Sequence, residues 1–287
     1  AKKGAKIGDT LKIRLPNRYT VTTGSQLDAQ DTAETSTTLS VTTQKHVGLN
    51  FTSQDLTLSI DDFSKRFIEP AAAVLAAAME ADALQGMRTD IYQQVNNTGS
   101  AATLAKVLGA GKKLTDSLAP LAGRKGLLCT QDTVDMVDAL KGLFNDQNAL
   151  SKQYREGQLG RVVNFDFSET THLPQQTRGS GNGSYVVQTT VSSQGATTVA
   201  IQTGTGTIKK GEIVTFANVY SVHPETKVST GVLQQFVVTA DSAGGSVTLS
   251  VSPAMYTTGA QQNIDSFPQA TAQMTIAGTA STNYGQS

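Results

Sequence analysis

The chain is 287 residues long, with 23 Lys and Arg against 23 Asp and Glu for a formal net charge of +0, one cysteine and no tryptophan. One cysteine excludes an internal disulfide framework and a thiolate metal cluster, and the balanced charge argues against a protein whose main task is to grip nucleic acid electrostatically. With 38% hydrophobic and 16% charged residues wholesale disorder is excluded too, which leaves a Thr- and Gly-rich chain of roughly two domains with room for an inserted third.

Residues 1–60 read as strands. Thr10-Leu-Lys-Ile-Arg-Leu15 alternates polar and apolar side chains, which places Leu11, Ile13 and Leu15 on one face. Pro16-Asn17 turns the chain, 19–23 forms a second short strand, and 25–36 is polar and weakly patterned. The β-pattern resumes over 39–43 and 47–58. The outline is a long hairpin or arm with too few large apolar residues to bury itself. Two readings stay open: a segment without a core of its own, or an arm that packs on a neighbouring subunit.

The period changes at Ser59-Ile-Asp-Asp62, where Ser59, Asp61 or Asp62 is placed to cap a helix whose first apolar face is Phe63, Phe67 and Ile68. Pro70 either starts a second helix or kinks the first. Residues 71–92 are rich in Ala, Leu and Met and form the longest expected helix, read residue by residue as an ordinary core helix. A second helix covers 100–118, weak at Gly109 and Gly111, and Pro120 and Gly123 stop it. The apolar strand Gly126-Leu-Leu-Cys129 follows, then a helix over 130–144 with Val134, Val137 and Leu140 inward, a helix over 150–156 and a strand over 161–167. That alternation is the pattern of a small α/β domain.

The composition then shifts. Arg178-Gly-Ser-Gly-Asn-Gly-Ser184 reads as a flexible hinge. Strand patterns alone follow, at 185–191, 197–202, 213–219, 233–239 and 246–251, with turns at Lys209-Lys-Gly211 and Ser242-Ala-Gly-Gly245. Short strands at this spacing predict a small all-β barrel or sandwich, of a size that suits an inserted module. Residues 261–287 are polar with one strand-like piece at 273–277.

Catalytic and metal-binding patterns are missing. Gly109-Ala-Gly-Lys-Lys113 departs from a phosphate-binding loop at two positions and falls inside a predicted helix. Cys129 has no base beside it in sequence and reads as a buried structural thiol. His46, His172 and His223 are too far apart for a ligand pair. No enzyme, cofactor or metal is expected. The groups Lys2, Lys3, Lys6, Lys12, Arg14 and Arg18, Lys65-Arg66 and Arg124-Lys125 read first as solvated surface charge and second as salt-sensitive contacts with another subunit or with packed nucleic acid. No apolar run spans a membrane, and no signal peptide is read at the N-terminus, so a cytosolic origin is expected.

Several segments resemble one family when taken in order. These are Ile7-Gly-Asp-Thr-Leu-Lys-Ile-Arg-Leu-Pro16 with Arg18-Tyr19, and Phe51-Thr-Ser-Gln-Asp-Leu-Thr-Leu-Ser-Ile-Asp-Asp-Phe63 running into Arg66-Phe-Ile-Glu-Pro-Ala71. The third is Tyr154-Arg-Glu-Gly-Gln-Leu-Gly-Arg-Val-Val-Asn-Phe-Asp166, and the fourth Thr207-Ile-Lys-Lys-Gly-Glu-Ile-Val-Thr-Phe-Ala217. They are similar to the major capsid (coat) proteins of tailed phages with the Hong Kong 97-type fold, and within these to the short-tailed-phage coat proteins of the Salmonella P-twenty-two type.

The resemblance implies an α+β chain in five parts. Residues 1–60 would be the N-terminal arm and extended loop, 61–120 the peripheral domain with its spine helix, and 121–178 the first part of the apical domain. Residues 179–262 would be an inserted β-barrel and 263–287 the apical return, with further family strands expected beyond Ser287. It also implies a virion shell protein made in the host bacterial cytoplasm. Its expected partners are itself in hexamers and pentamers, a scaffolding protein, a portal and packaged double-stranded DNA, with no membrane. Arg14, Arg18, Lys45, Lys65 and Arg66 would then make charge contacts between subunits. Two other readings are an encapsulin-like compartment shell and a β-rich phage tail or surface protein.

Overall fold

The computed structural model describes residues 10–27, 29–30, 34–40, 43–50, 64–97, 99–140 and 161–284. The expected helix caps Ser59, Asp61 and Asp62, the strand beyond residue 50 and the helix over 150–156 lie outside them. The chain divides into two compact units, Ala1–Asp82 and Ala83–Ser287.

In the first unit β1 (Thr10–Arg14) and β2 (Ser36–Ser40) form an antiparallel ribbon. Leu11 sits opposite Leu39 and Ile13 opposite Thr37, so the period-two pattern builds one apolar face. Residues 19–23 form no strand. The Gln30 side chain occupies Thr20 instead, accepting from its N–H at 3.0 Å and donating to its carbonyl. A side-chain amide thereby satisfies the backbone groups that a neighbouring strand would have used.

A single π-type turn, Ser64–Ile68, leads into α1 (Glu69–Met87). Pro70 lies in the first turn of α1, where its missing N–H costs no helical hydrogen bond. The helix ends before Tyr92, because Thr89 Oγ1 and Thr89 N both turn back onto Gly86 O. No residue of α1 is buried, so it is not the core helix that its Ala- and Leu-rich sequence predicts.

The second unit opens with α2 (Leu104–Asp116), β3 (Arg124–Leu128), α3 (Thr130–Leu140), β4 (Arg161–Val162) and β5 (Phe165–Glu169). The expected α/β alternation is present, with β3 parallel to β5 and β4 antiparallel to it. Helix α2 runs unbroken through Gly109 and Gly111, where a weak middle is expected, and Gly111 lies against the Phe165 ring. The inner face of α3 is carried by fully buried Met136, while Val134, expected inside, is 59% exposed.

Strands β7 (Val186–Val187), β8 (Ala196–Gln202), β9 (Ile213–Val222), β10 (Ser229–Val238), β11 (Val247–Met255) and β12 (Met274–Ile276) make a six-stranded sheet in the order β12-β9-β10-β11-β8-β7. It closes through the Val186 to Gln273 bridge and the bonds Val187 N to Ala272 O and Met274 N to Tyr185 O, both 2.9 Å. Closure removes the free edges that an open sheet would expose. The interior holds Tyr185, Ile201, Phe216, Phe236, Leu249 and Met274 among others, with the Phe216 and Phe236 rings 5.8 Å apart. Along β9 the inward phase shifts from Val214 and Phe216 to Val219, across Asn218 at a positive φ of 61°. Because β12 closes the barrel and Ile264, Met274 and Ile276 lie in its core, the barrel includes residues past 262, where the resemblance would end the insertion.

The stretch 178–184, whose composition predicts a hinge, is hydrogen-bonded along its length: Gly181 N donates to Thr207 O at 2.8 Å and Asn182 N to Thr205 O at 3.1 Å. A glycine of a different kind stands at Gly244, with φ +85° and space for a Cβ only 1.7 Å from Gly206 O. Gly244→Ala is therefore expected to destabilise the barrel by about 1–3 kcal/mol, read as a lowered denaturation midpoint.

Candidate interaction surfaces

The ribbon shows how the first unit meets its surroundings. Every residue of β1 and β2 is exposed, and the large apolar side chains of Leu11, Ile13, Leu15 and Leu39 are left about half in solvent. In the segment joining the strands, Val21 and Leu27 are each 93% exposed. An isolated two-stranded ribbon is at best marginally stable in water, so a face of this kind gains most from being covered. Helix α1 adds exposed Val74, Met79 and Met87.

The five candidate contact residues fall in three segments and do not form one patch by chain position. Arg14 ends β1 and pairs with Glu34 at 3.2 Å, with both side chains largely in solvent. Such a pair is worth little to the isolated chain. Arg18 is exposed beyond β1. Lys45 is engaged within its own unit, paired with Asp82 Oδ2 at 2.8 Å and donating to Ala78 O at 3.1 Å. Lys65 and Arg66 are exposed on the π-type turn before α1.

Arg124, read from sequence as surface charge, is buried and closes the C-terminal end of α2. Its guanidinium donates to Gly111 O, Thr115 Oγ1, Ala119 O and Pro120 O at 2.9 to 3.2 Å. The acceptors lie in the last turns of α2 and in the turn that follows it, where the cation suits the negative end of the helix dipole.

A second buried charge system lies where the chain passes into and out of the barrel. Strands β6 (Gln176–Thr177) and β13 (Asn283–Tyr284) pair antiparallel and form the neck. Arg178 follows β6, is 7% exposed, and donates to Gly278 O at 2.7 Å and Gly181 O at 3.1 Å. Glu212 is 4% exposed, and its Oε1 accepts from Gly179 N at 2.5 Å and Lys209 N at 3.0 Å. Together they tie the inbound strand to the outbound one and to the start of β9. Neither residue stands out in sequence, because their partners are backbone groups distant along the chain.

Burial pushes the Glu212 carboxyl above its ordinary value of 4.5, against the opposing pull of the Gly179 and Lys209 N–H groups and the Arg178 charge. The folded barrel therefore holds this proton more tightly than the unfolded chain. That contribution to stability is full below pH 4.5 and is lost as the pH rises through the folded pKa. Melting of the wild type and Glu212→Gln across this range should show a downward trend with rising pH in the wild type that the variant lacks.

Burial also pushes the Cys129 thiol up, and its Sγ–H donates to Asp132 Oδ2 at 3.0 Å, the setting of an inert structural thiol. Among the described residues no group of three or more His, Cys, Asp or Glu is placed to hold a metal ion, and no helix is long and apolar enough to cross a membrane.

No protein-family model matches the chain, and no curated protein sequence matches it. Among solved structures, the CUS-3 coat protein I-domain is 26% identical over 33% of this chain and 96% of its own length, with a TM-score of 0.26. A structure from Mycobacterium phage Che8 is 15% identical over 69% of this chain and 75% of its own, with a TM-score of 0.43.

Proposed function

We propose that the chain is the major capsid protein of a tailed double-stranded DNA bacteriophage, a structural subunit that assembles into the icosahedral head. The observation that carries this reading is the ribbon with its uncovered apolar face, together with a 19-residue helix that buries none of its residues. Elements of this kind are suited to being completed by copies of the same chain, as a closed symmetric assembly requires. The ordered motifs from Ile7 to Ala217 that resemble Hong Kong 97-type coat proteins support it, as does a barrel inserted between β6 and β13. A β-rich tail or surface protein fits less well, since three helices, α1, α2 and α3, precede the barrel.

In this reading the ribbon and the 1–60 arm lie over a neighbouring subunit, and hexamers and pentamers form the shell. A scaffolding protein and a portal take part in assembly, DNA is enclosed without sequence readout, and the protein is found in the virion. Arg18 and the Lys65-Arg66 pair make charge contacts between subunits. Arg18→Ala and Arg66→Ala should lower the yield of sedimenting particles, and more so as salt is reduced, where charge contacts count most. Normal yields for both variants at every salt concentration would remove these residues from the interface. Failure of the unaltered protein to form particles at all would remove the shell reading itself.

A further inference from the structure

Helix α2 and the segment 90–95 bound an open cavity of about 380 Å³. Its walls are mainly apolar, from Ile91, Tyr92, Val95, Ala110 and Leu114, and they carry one amine, that of half-buried Lys113. Lys113 Nζ donates to Gln235 Oε1 at 2.7 Å, and the same oxygen accepts from Gln94 N at 2.9 Å. Gln235 stands on the outer face of β10. Val237 follows it on that face at 0% exposure, and its register partner Ile213 is 6% exposed; neither belongs to the barrel's interior cluster. The amine is therefore set against a surface from which water is largely excluded, and its partner there is a neutral amide. Among the described residues no carboxylate lies within ion-pair distance of Nζ, although Asp90 lines the same cavity. The neighbouring Lys112 is exposed and paired with Asp116 at 3.3 Å.

We propose that Lys113 is a nucleophilic lysine that forms an imine with small apolar aldehydes seated in this cavity. An amine attacks a carbonyl only in its neutral form, and a lysine is brought toward that form by an apolar setting or by a second cation beside it. Lys113 has both. Burial first, and the Lys112 charge second, push its pKa below the ordinary lysine value, against the opposing pull of Asp116. No counter-ion sits on Nζ to hold the ammonium in place. The neutral Nζ adds its lone pair to the aldehyde carbon, and one N–H proton passes to the carbonyl oxygen. The resulting carbinolamine then loses its hydroxyl together with the second N–H proton as water, which leaves the C=N bond. The apolar walls take the body of the aldehyde, and the volume falls at the lower end of the range of about 300–1,000 Å³ for small-molecule sites. A carboxylic acid suits the cavity less well, since it would bring an anion toward Asp90. The site does not depend on the capsid reading, because all its residues lie within the second unit of one chain.

The test treats the protein with benzaldehyde at neutral pH in the presence of cyanoborohydride, which reduces an imine to a stable secondary amine. Peptide mass mapping then reads the label at each lysine. Lys113 should take up several-fold more label than the exposed Lys12 and Lys125, although it is the less accessible amine. Gln235→Glu sets a carboxylate where the amide oxygen stands and keeps an acceptor for Gln94 N, so it should hold Lys113 as an ammonium and remove the excess. Circular dichroism verifies that this variant is folded. If it is not, Lys112→Ala at an exposed position should lower the Lys113 label by removing the like charge. Labelling of Lys113 no greater than that of Lys12 and Lys125, or an excess that survives unchanged in the folded variant, would overturn the assignment.

Discussion

Arg178→Ala is expected to destabilise the barrel by about 3 kcal/mol, from two hydrogen bonds of a charged donor at about 1.5 kcal/mol or more each. The side chain is 7% exposed, and its loss strands the carbonyls of Gly278 and Gly181. It also leaves Glu212, at 4% exposure, without the nearby positive charge that favours its ionised form. Glu212→Gln should cost less, because an amide oxygen can still accept from Gly179 N and Lys209 N. The double variant Arg178→Ala with Glu212→Gln should therefore lose less than the sum of the two, the mark of coupled groups. Chemical denaturation followed by the barrel's own signal reads all three values. Additive losses would show that the two charges do not act as a unit.

Leu11→Glu combined with Leu39→Glu should leave the isolated chain folded and abolish its assembly. The two side chains face each other across the ribbon and are 51% and 56% exposed, so the monomer gains little from them. Against a neighbour each would contribute about half of the 1.5–3 kcal/mol for burying a fully exposed side chain, roughly a 4- to 12-fold change per contact. Placing two carboxylates in such a contact adds a desolvation cost. Sedimentation gives the assembled fraction, and circular dichroism verifies that the chain remains folded. Assembly at wild-type yield would show that the ribbon's apolar face is not an interface.

Where a segment's own pattern decides its structure, the sequence was readable. Alternation at 10–15 became β1, and the apolar runs at 213–219, 233–239 and 246–251 became the long barrel strands. Where a distant group decides it, the pattern misled. Arg124 looks like surface charge beside Lys125 until the turn after α2 brings the carbonyls of Ala119 and Pro120 to the guanidinium. The glycines after Arg178 look like a linker until the loop before β9 is laid against them. In α3 the spacing of apolar residues permits two faces, and packing against the neighbouring elements chose Met136 over Val134. The candidate surface was half legible: the Leu11, Ile13, Leu15 stripe is plain in sequence, but the chain alone does not show that it stays uncovered. Lys45 is the reverse case, a charge proposed to reach outward that its own unit ties to Asp82.

Negative-stain electron microscopy of the purified protein tests the shell reading most directly. Closed polyhedral particles of uniform diameter are the expected result. A protein that stays monomeric at every salt concentration, pH and protein concentration tried would contradict it.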